Sequence, residues 1–406
     1  MKKDKENLRR MFVYLDNSST TKQSHEVTEI MSRTAEDTFG NPSSLHRLGV
    51  EAEKVLKTAR KETASVIGAD PNEIYFTSGG TESDNTAVFG AAGAMKREGN
   101  RIITQVTEHP AVLECMSELE RRGMEVVRIP VKSDGIIDMN AFENALNDDT
   151  ILVSVMHVNN ETGAVQPVKE IGELTKKQGK ALFHCDAVQS FGKLPVDVRT
   201  VKFDMLSVSG HKIHGPRGTG FLYVRHGVNV RPFVRGGGQE HGFRSGTENL
   251  PGIAGFAHAA WSAERSREKN LSHVRELSER LIEGIRAEVP DVQINGPEQN
   301  GDPGTDKWLP YIVNISLKDT RGEVMLHMLE QKDIFVSTGS ACSSHKKGFS
   351  HVLESMGVNG NMAEGALRFS LSCDNTEEEI DYTIKAVAEA AEEHRKMMAL
   401  ARRMGR

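Results

Sequence analysis

The chain has 406 residues, 37% hydrophobic and 27% charged, with a formal net charge of −6 at pH 7. That length suits two domains, or one large domain with a smaller satellite, and supports a substantial core. The negative balance argues against a nucleic-acid binder driven by bulk electrostatics, and no apolar run approaches the ~18 residues of a membrane span.

Met1 to Arg10 is charged and lacks a following apolar stretch, so no secretory signal is expected there. Glu73–Thr77 reads as a strand that passes through Ser78-Gly79-Gly80-Thr81 into a helix. Arg101–Val106 and Met124–Val131 read as strands on either side of a helix opened by Pro110. Its stripe is Val112, Cys115, Met116 and Leu119, and Gly123 stops it. Thr150–Val158 has the pattern of a buried strand, Val168–Gln178 of a helix ended by Gly179, and Ala181–Cys185 of another strand. These βαβ units predict an α/β fold with a largely parallel sheet flanked by helices. Arg, Lys and Glu dominate 262–272, and an amphipathic helix follows with Val274, Leu277, Leu281 and Ile285 on one side. Short strands, Tyr311–Leu317 and Ile334–Val336, bracket a helix at Glu323–Leu329. Thr376-Glu377-Glu378-Glu379 has the pattern of a capping box, opening a helix with Ile380, Ile384, Val387 and Ala391 on its apolar face. Asn295–Lys307, rich in Gly, Pro and Asp, reads as a surface loop. The expected division is a large domain, 22–265, and a smaller α+β domain formed by 1–21 and 266–406.

Four residue types recur at expected strand exits: His109, Asn160, Asp186 and Lys212. Ligands of open α/β sheets sit at that end of the strands. Lys212, in Ser209-Gly210-His211-Lys212 after the apolar run Phe203–Val208, offers an amine for a carbonyl cofactor. A lone lysine at a strand exit is usually just a solvated charge, and the matching parts at other strand exits change that reading. Ser78-Gly79-Gly80-Thr81 suits a phosphate through backbone N–H groups and hydroxyls, or is an ordinary capped turn. Asp186 would pair with a pyridinium nitrogen or cap the next segment. His109 would stack on a ring and move protons, or simply mark a helix entry. An amine, an anion cradle, a stacking ring and a carboxylate are the parts that pyridoxal phosphate needs.

The four cysteines, Cys115, Cys185, Cys342 and Cys373, show neither disulfide-framework nor metal-ligand spacing, so no metal is expected and the compartment reads as a reducing cytoplasm. Cys342 stands among small residues with His345, Lys346 and Lys347 nearby, an exposed, flexible setting in which positive charge favours the thiolate. The other three read as structural. Arg368, in the apolar run Ala366–Ser370, requires a partner: a substrate carboxylate or a structural ion pair.

These motifs resemble the cysteine desulfurases of the pyridoxal-phosphate-dependent aminotransferase-like (fold type I) superfamily, in the group with a long mobile cysteine loop. The resemblance runs nearly end to end. It includes Tyr14-Leu15-Asp16-Asn17, Phe76 through Asn85, Thr107-Glu108-His109, Met156 through Glu161, Asp186 through Ser190 and Ser207 through Lys212. Gly236 through Glu240, Arg244 through Glu248, Gly339 through Cys342 and Arg368 through Leu371 complete it. It implies that Lys212 holds the cofactor covalently and that Gly80, Thr81, Ser209 and His211 bind its phosphate. Thr247 would reach the phosphate of a partner subunit, which makes the protein a homodimer. Asp186 would meet the ring nitrogen, Gln189 the phenolic oxygen and His109 the ring face. Asn160 and Arg368 would hold the carboxylate of L-cysteine, and Cys342, on a small-domain loop at about 337–349, would be the nucleophile. The implied reaction yields L-alanine and a persulfide for an iron–sulfur scaffold or a tRNA-thiolation enzyme. Gly80 departs from the family, in which alanine is frequent. The alternatives are a selenocysteine lyase or aminotransferase on the same fold, or a non-catalytic scaffold for sulfur carriers.

Overall fold

The computed structural model describes residues 11–297, 307–338 and 350–404. A short strand β1 (Val13–Tyr14) leads into helices α1 (His25–Asp37) and α2 (Arg47–Val66). Then come β2 (Ile74–Thr77), α3 (Gly80–Met95), β3 (Arg101–Gln105), α4 (Pro110–Arg121), β4 (Glu125–Ile129) and α5 (Met139–Ala145). They are followed by β5 (Thr150–Ser154), α6 (Val168–Gln178), β6 (Leu182–Asp186), β7 (Met205–Ser209) and β8 (Gly220–Val224). The last seven strands form one sheet in the order β2-β8-β7-β6-β5-β3-β4. Strand β8 runs antiparallel to both neighbours, and all other pairs are parallel.

Strands β5 to β8 are buried along their whole length, as expected for a sheet covered on both faces. Alternate residues serve opposite cores: Phe183 and Cys185 pack with α2 and the helix α7 (Leu250–Glu288), whereas Leu182 packs with α3 and α4. The remaining elements are β9 (Val292–Ile294), β10 (Ile312–Leu317), α8 (Gly322–Glu330), β11 (Ile334–Phe335), α9 (His351–Ser355), α10 (Gly360–Glu364), β12 (Ala366–Ser370) and α11 (Glu377–Met404). Strands β12-β10-β9 make a second, antiparallel sheet, and β1 pairs with β11.

Most sequence expectations find an element, with three differences. The charged stretch 262–272 does not precede a helix; it is the middle of the 39-residue α7. One half of α7 buries Ile253, Phe256 and Ala260 against the main sheet, and the other buries Val274, Leu277, Leu281 and Ile285 in a second core. Residue 265 therefore falls inside a continuous helix. Strand β5 stops at Ser154, short of Val158; the Val155 and His157 N–H groups still donate to the β6 carbonyls of His184 (3.1 Å) and Asp186 (2.9 Å), while Met156 and Val158 line a cavity. Asn295, at the start of the expected surface loop, is buried and donates to Asn314 (2.8 Å) and Ser316 (2.7 Å); residues 298–306 of that loop lie outside the described residues. The capping box is present: Thr376 N–H donates to Glu379 Oε2 (3.0 Å), and Glu379 N–H donates to Thr376 Oγ1 (3.3 Å). Among the described residues, no helix is long and apolar enough to cross a membrane.

Candidate active site

Parallel strands deliver their following loops to one edge of the sheet, and a cavity of about 310 Å³ opens there. Its walls bring together Gly80, Thr81, His109, Asn160, Asp186, Gln189, Ser209, His211, Lys212 and Arg368. His109 follows β3, Asn160 follows β5, Asp186 ends β6 and Lys212 closes a single 3-10 turn after β7. A larger cleft of about 870 Å³ also borders Lys212, but it includes none of the other expected site residues.

The Lys212 ammonium donates to the carbonyls of Ser18 (2.5 Å) and Ser19 (2.7 Å), so the N-terminal segment forms one wall. Gln189 Nε2 ties to the same Ser18 carbonyl (2.9 Å). Asp186 is buried, which raises its carboxyl above the usual range, while the Val188 N–H (2.8 Å) and the Lys212 charge act in the other direction. Its capping role and its place in the cavity thus coexist. The same is true of His109. It caps α4 by accepting the Ala111 N–H at Nδ1 (3.1 Å), and burial, aided by Lys212 and His351, brings it down to about 4.

Helix α3 begins at Gly80 with no side-chain cap, so first-turn N–H groups remain for an anion. Gly79 adopts φ +140°, a conformation suited to glycine, with Ser209 beside it. A Cβ at Gly80 would come within 2.7 Å of Val188 Cγ2, a steric reason for glycine where relatives of the resembled family carry alanine. His211 Nδ1 lies 3.2 Å from the Thr20 hydroxyl.

Arg368 sits on β12 with 3% exposure. It donates to Asp16 (2.8 Å), the Ser19 hydroxyl (2.6 Å) and the Asn160 carbonyl (3.0 Å), while its buried Nε has no partner among the described residues. The ion-pair reading is therefore realised, with donor capacity left over. Thr247 is not brought to this cavity; it lines a separate cleft with Ser78, Glu240 and Arg244. Cys342 lies outside the described residues. Cys115 and Cys185 are buried as expected, and burial pushes the Cys115 thiol up to about 12. Cys373 departs from the structural reading: the chain turns outward after Leu371 and leaves it half-buried beside His214 and Asp374.

Four titratable residues of the cavity or its floor escaped the sequence reading: Asp84, Glu108, Glu161 and His351. Asp84 and Glu108 are buried carboxyls, both raised by burial and by the Asp186 charge, Glu108 to about 8. Glu161 is raised by burial to about 7 and accepts the Ser350 hydroxyl. The available signals were weak: Asp84 lies one helical turn beyond Gly80, Glu108 precedes His109, and His351 follows the cysteine segment.

Pyridoxal phosphate fits this donor set. An uncapped helix start suits its phosphate, a buried carboxyl its ring nitrogen, and an amine pinned by two carbonyls its aldehyde. Comparison with known proteins points the same way. The profile of the aminotransferase class-V family matches residues 13–383. A cysteine desulfurase IscS of Clostridium botulinum (strain Hall) is 42% identical over 388 residues, covering 96% of each chain. One from Salmonella arizonae is 46% identical over 380 residues, covering 92% of this chain and 91% of that one. Among solved structures, a NifS-like protein superposes with a TM-score of 0.87 at 38% identity, covering 93% of this chain and 99% of its own.

Proposed function

The chain belongs to the aminotransferase class-V family, and we infer from that membership that it is a pyridoxal-phosphate-dependent cysteine desulfurase. It converts L-cysteine to L-alanine and takes the sulfur as a persulfide on Cys342. The observation that supports this best is the convergence of Lys212, Asp186, His109 and Arg368 on one cavity. When bound, pyridoxal phosphate supplies an aldehyde for amines and a conjugated ring that accepts the electron pair released at the substrate carbon.

The protein's own groups divide the remaining work. Lys212 would hold the aldehyde, and its amine would be the group placed to move the Cα proton. Asp186 would face the ring nitrogen, where a carboxylate favours the protonated ring. Gly80, Thr81, Ser209 and His211 hold the phosphate, Gln189 the phenolic oxygen, and His109 the ring face. Arg368 and Asn160 orient the substrate carboxylate; the Asp16 contact fixes the guanidinium before the substrate arrives. Cys342 attacks the substrate sulfur as a thiolate.

Thr247 serves the site of a partner subunit, so the protein is a homodimer. Its sulfur goes to an acceptor protein, an iron–sulfur scaffold or a tRNA-thiolation enzyme. We take 22–265 as the large domain and 1–21 with 266–406 as the small one. The free thiols of Cys115, Cys185 and Cys373 support a cytoplasmic compartment. The test is incubation with L-cysteine, measuring alanine and persulfide on Cys342. Wild type should produce both and Cys342→Ser neither; equal alanine from the two overturns the assignment.

A further inference from the structure

Among the described residues, three imidazoles border the cavity, those of His109, His211 and His351. Their hydrogen bonds decide which of them can receive a proton. His109 spends its Nδ1 lone pair on the Ala111 N–H, so the neutral ring carries its proton on Nε2. His211 shares Nδ1 with a hydroxyl, which both donates and accepts, so its tautomer is not fixed. His351, the first residue of α9, lies 3.2 Å through Nε2 from the Glu108 carbonyl. A carbonyl only accepts; Nε2 must therefore hold the proton, and Nδ1 keeps its lone pair. That Nδ1 has no hydrogen-bond partner among the described residues. Nor is it a sealed, unpartnered core atom, as His157 Nδ1 is. It is a basic nitrogen at the edge of the cavity.

We propose that His351 is a catalytic base of this site that takes the proton carried by the substrate's sulfur. The proposal rests on the desulfurase reading and adds a proton path to it. As the Cys342 thiolate attacks, a sulfur–sulfur bond forms and the carbon–sulfur bond breaks, its electron pair staying with carbon. The sulfur–hydrogen bond breaks toward Nδ1, and its pair stays on sulfur as the persulfide anion. The imidazolium then returns that proton to the β-carbon, which becomes the methyl group of alanine. Atoms and charge balance with no further reactant. Burial lowers the pKa of His351, which keeps the ring neutral and basic at pH 7. The charges facing it are Glu354 on its own helix, and His109, Glu161, Lys212 and Arg368 across the cavity.

His351→Gln tests this in the cofactor-loaded enzyme, because the glutamine amide can still donate to the Glu108 carbonyl but has no basic nitrogen. Alanine formation should fall in kcat by about 100-fold, with KM for L-cysteine and the cofactor's visible absorbance unchanged. The acidic limb of the kcat–pH profile should disappear. Nitrogen-15 NMR of the imidazoles, with His351 identified by its loss in the variant, should show Nε2 protonated at pH 7. Retention of kcat within about threefold overturns the proposal. So does a large loss that leaves the acidic limb in place, or a His351 protonated at Nδ1. Wild type that releases no alanine from L-cysteine would instead defeat the desulfurase reading itself, and this proposal with it.

Discussion

Glu108 is a carboxylic acid held almost entirely out of water, at 1% exposure. One oxygen accepts the Met156 N–H (2.7 Å) and the other has no hydrogen-bond partner among the described residues, an arrangement that suits the neutral acid. Its pKa rises from 4.5 to about 8, chiefly through burial. The folded state thus binds a proton that the unfolded state releases. The stabilisation is complete below pH 4.5 and is lost as pH rises through about 8. Glu108→Gln mimics the neutral form, so the wild-type melting temperature should fall relative to the variant as pH is raised from 5 to 8. A constant difference across that range would show that Glu108 does not titrate there. The sequence pointed to His109 and Asp186 because they combine a chemically informative side chain with a strand exit. It did not point to Glu108 or Asp84, because burial is a property of the packed neighbours. His351 was equally illegible: its meaning comes from the Glu108 carbonyl, 243 residues away in the chain.

At the scale of elements, the segment carrying Thr247 is anchored by one buried ion pair. Glu240 receives both Arg60 guanidinium nitrogens, each at 2.7 Å, and the Phe76 N–H at 2.9 Å. Arg244 adds a clasp to Glu82 in the first turn of α3 (2.7 Å). The loop proposed to serve a neighbouring subunit is thus tied to the helix proposed to hold its own phosphate. Glu240→Ala leaves Arg60 buried without a counter-charge and should cost about 3–5 kcal/mol in urea denaturation. An Arg60→Met, Glu240→Met double variant should recover more than half of that loss. If the single variant unfolds like wild type, the pair is not an anchor. Elements with their own punctuation were legible: α6 between Pro167 and Gly179, α4 after Pro110, and α11 behind its capping box. Helix α7 was not, because its charged middle faces solvent between two cores and has the composition of a linker.

At the scale of the molecule, α7 is a beam shared by two hydrophobic cores. Arg265, exposed near its middle, makes a cation–π contact with Trp261. Arg265→Pro removes a helical hydrogen bond there and adds a clash with the preceding turn, worth about 3 kcal/mol or more. The chain's two tryptophans can report on each end: Trp261 lies on the first half of α7, and Trp308 is buried in the second core. In single-tryptophan proteins, the two fluorescence transitions in urea should coincide for wild type and separate for Arg265→Pro. Coincident transitions in the proline variant would mean that contacts other than α7 couple the cores.

The clasp between Asp16 and Arg368 spans 352 positions of sequence. Until β12 leaves the ribosome, a nascent polypeptide already has its lysine, its imidazole and its sheet, yet lacks the guanidinium that braces the Ser19 hydroxyl. The subsite proposed for the substrate carboxylate is consequently the last part of the pocket to be built, and products truncated before Arg368 cannot assemble it.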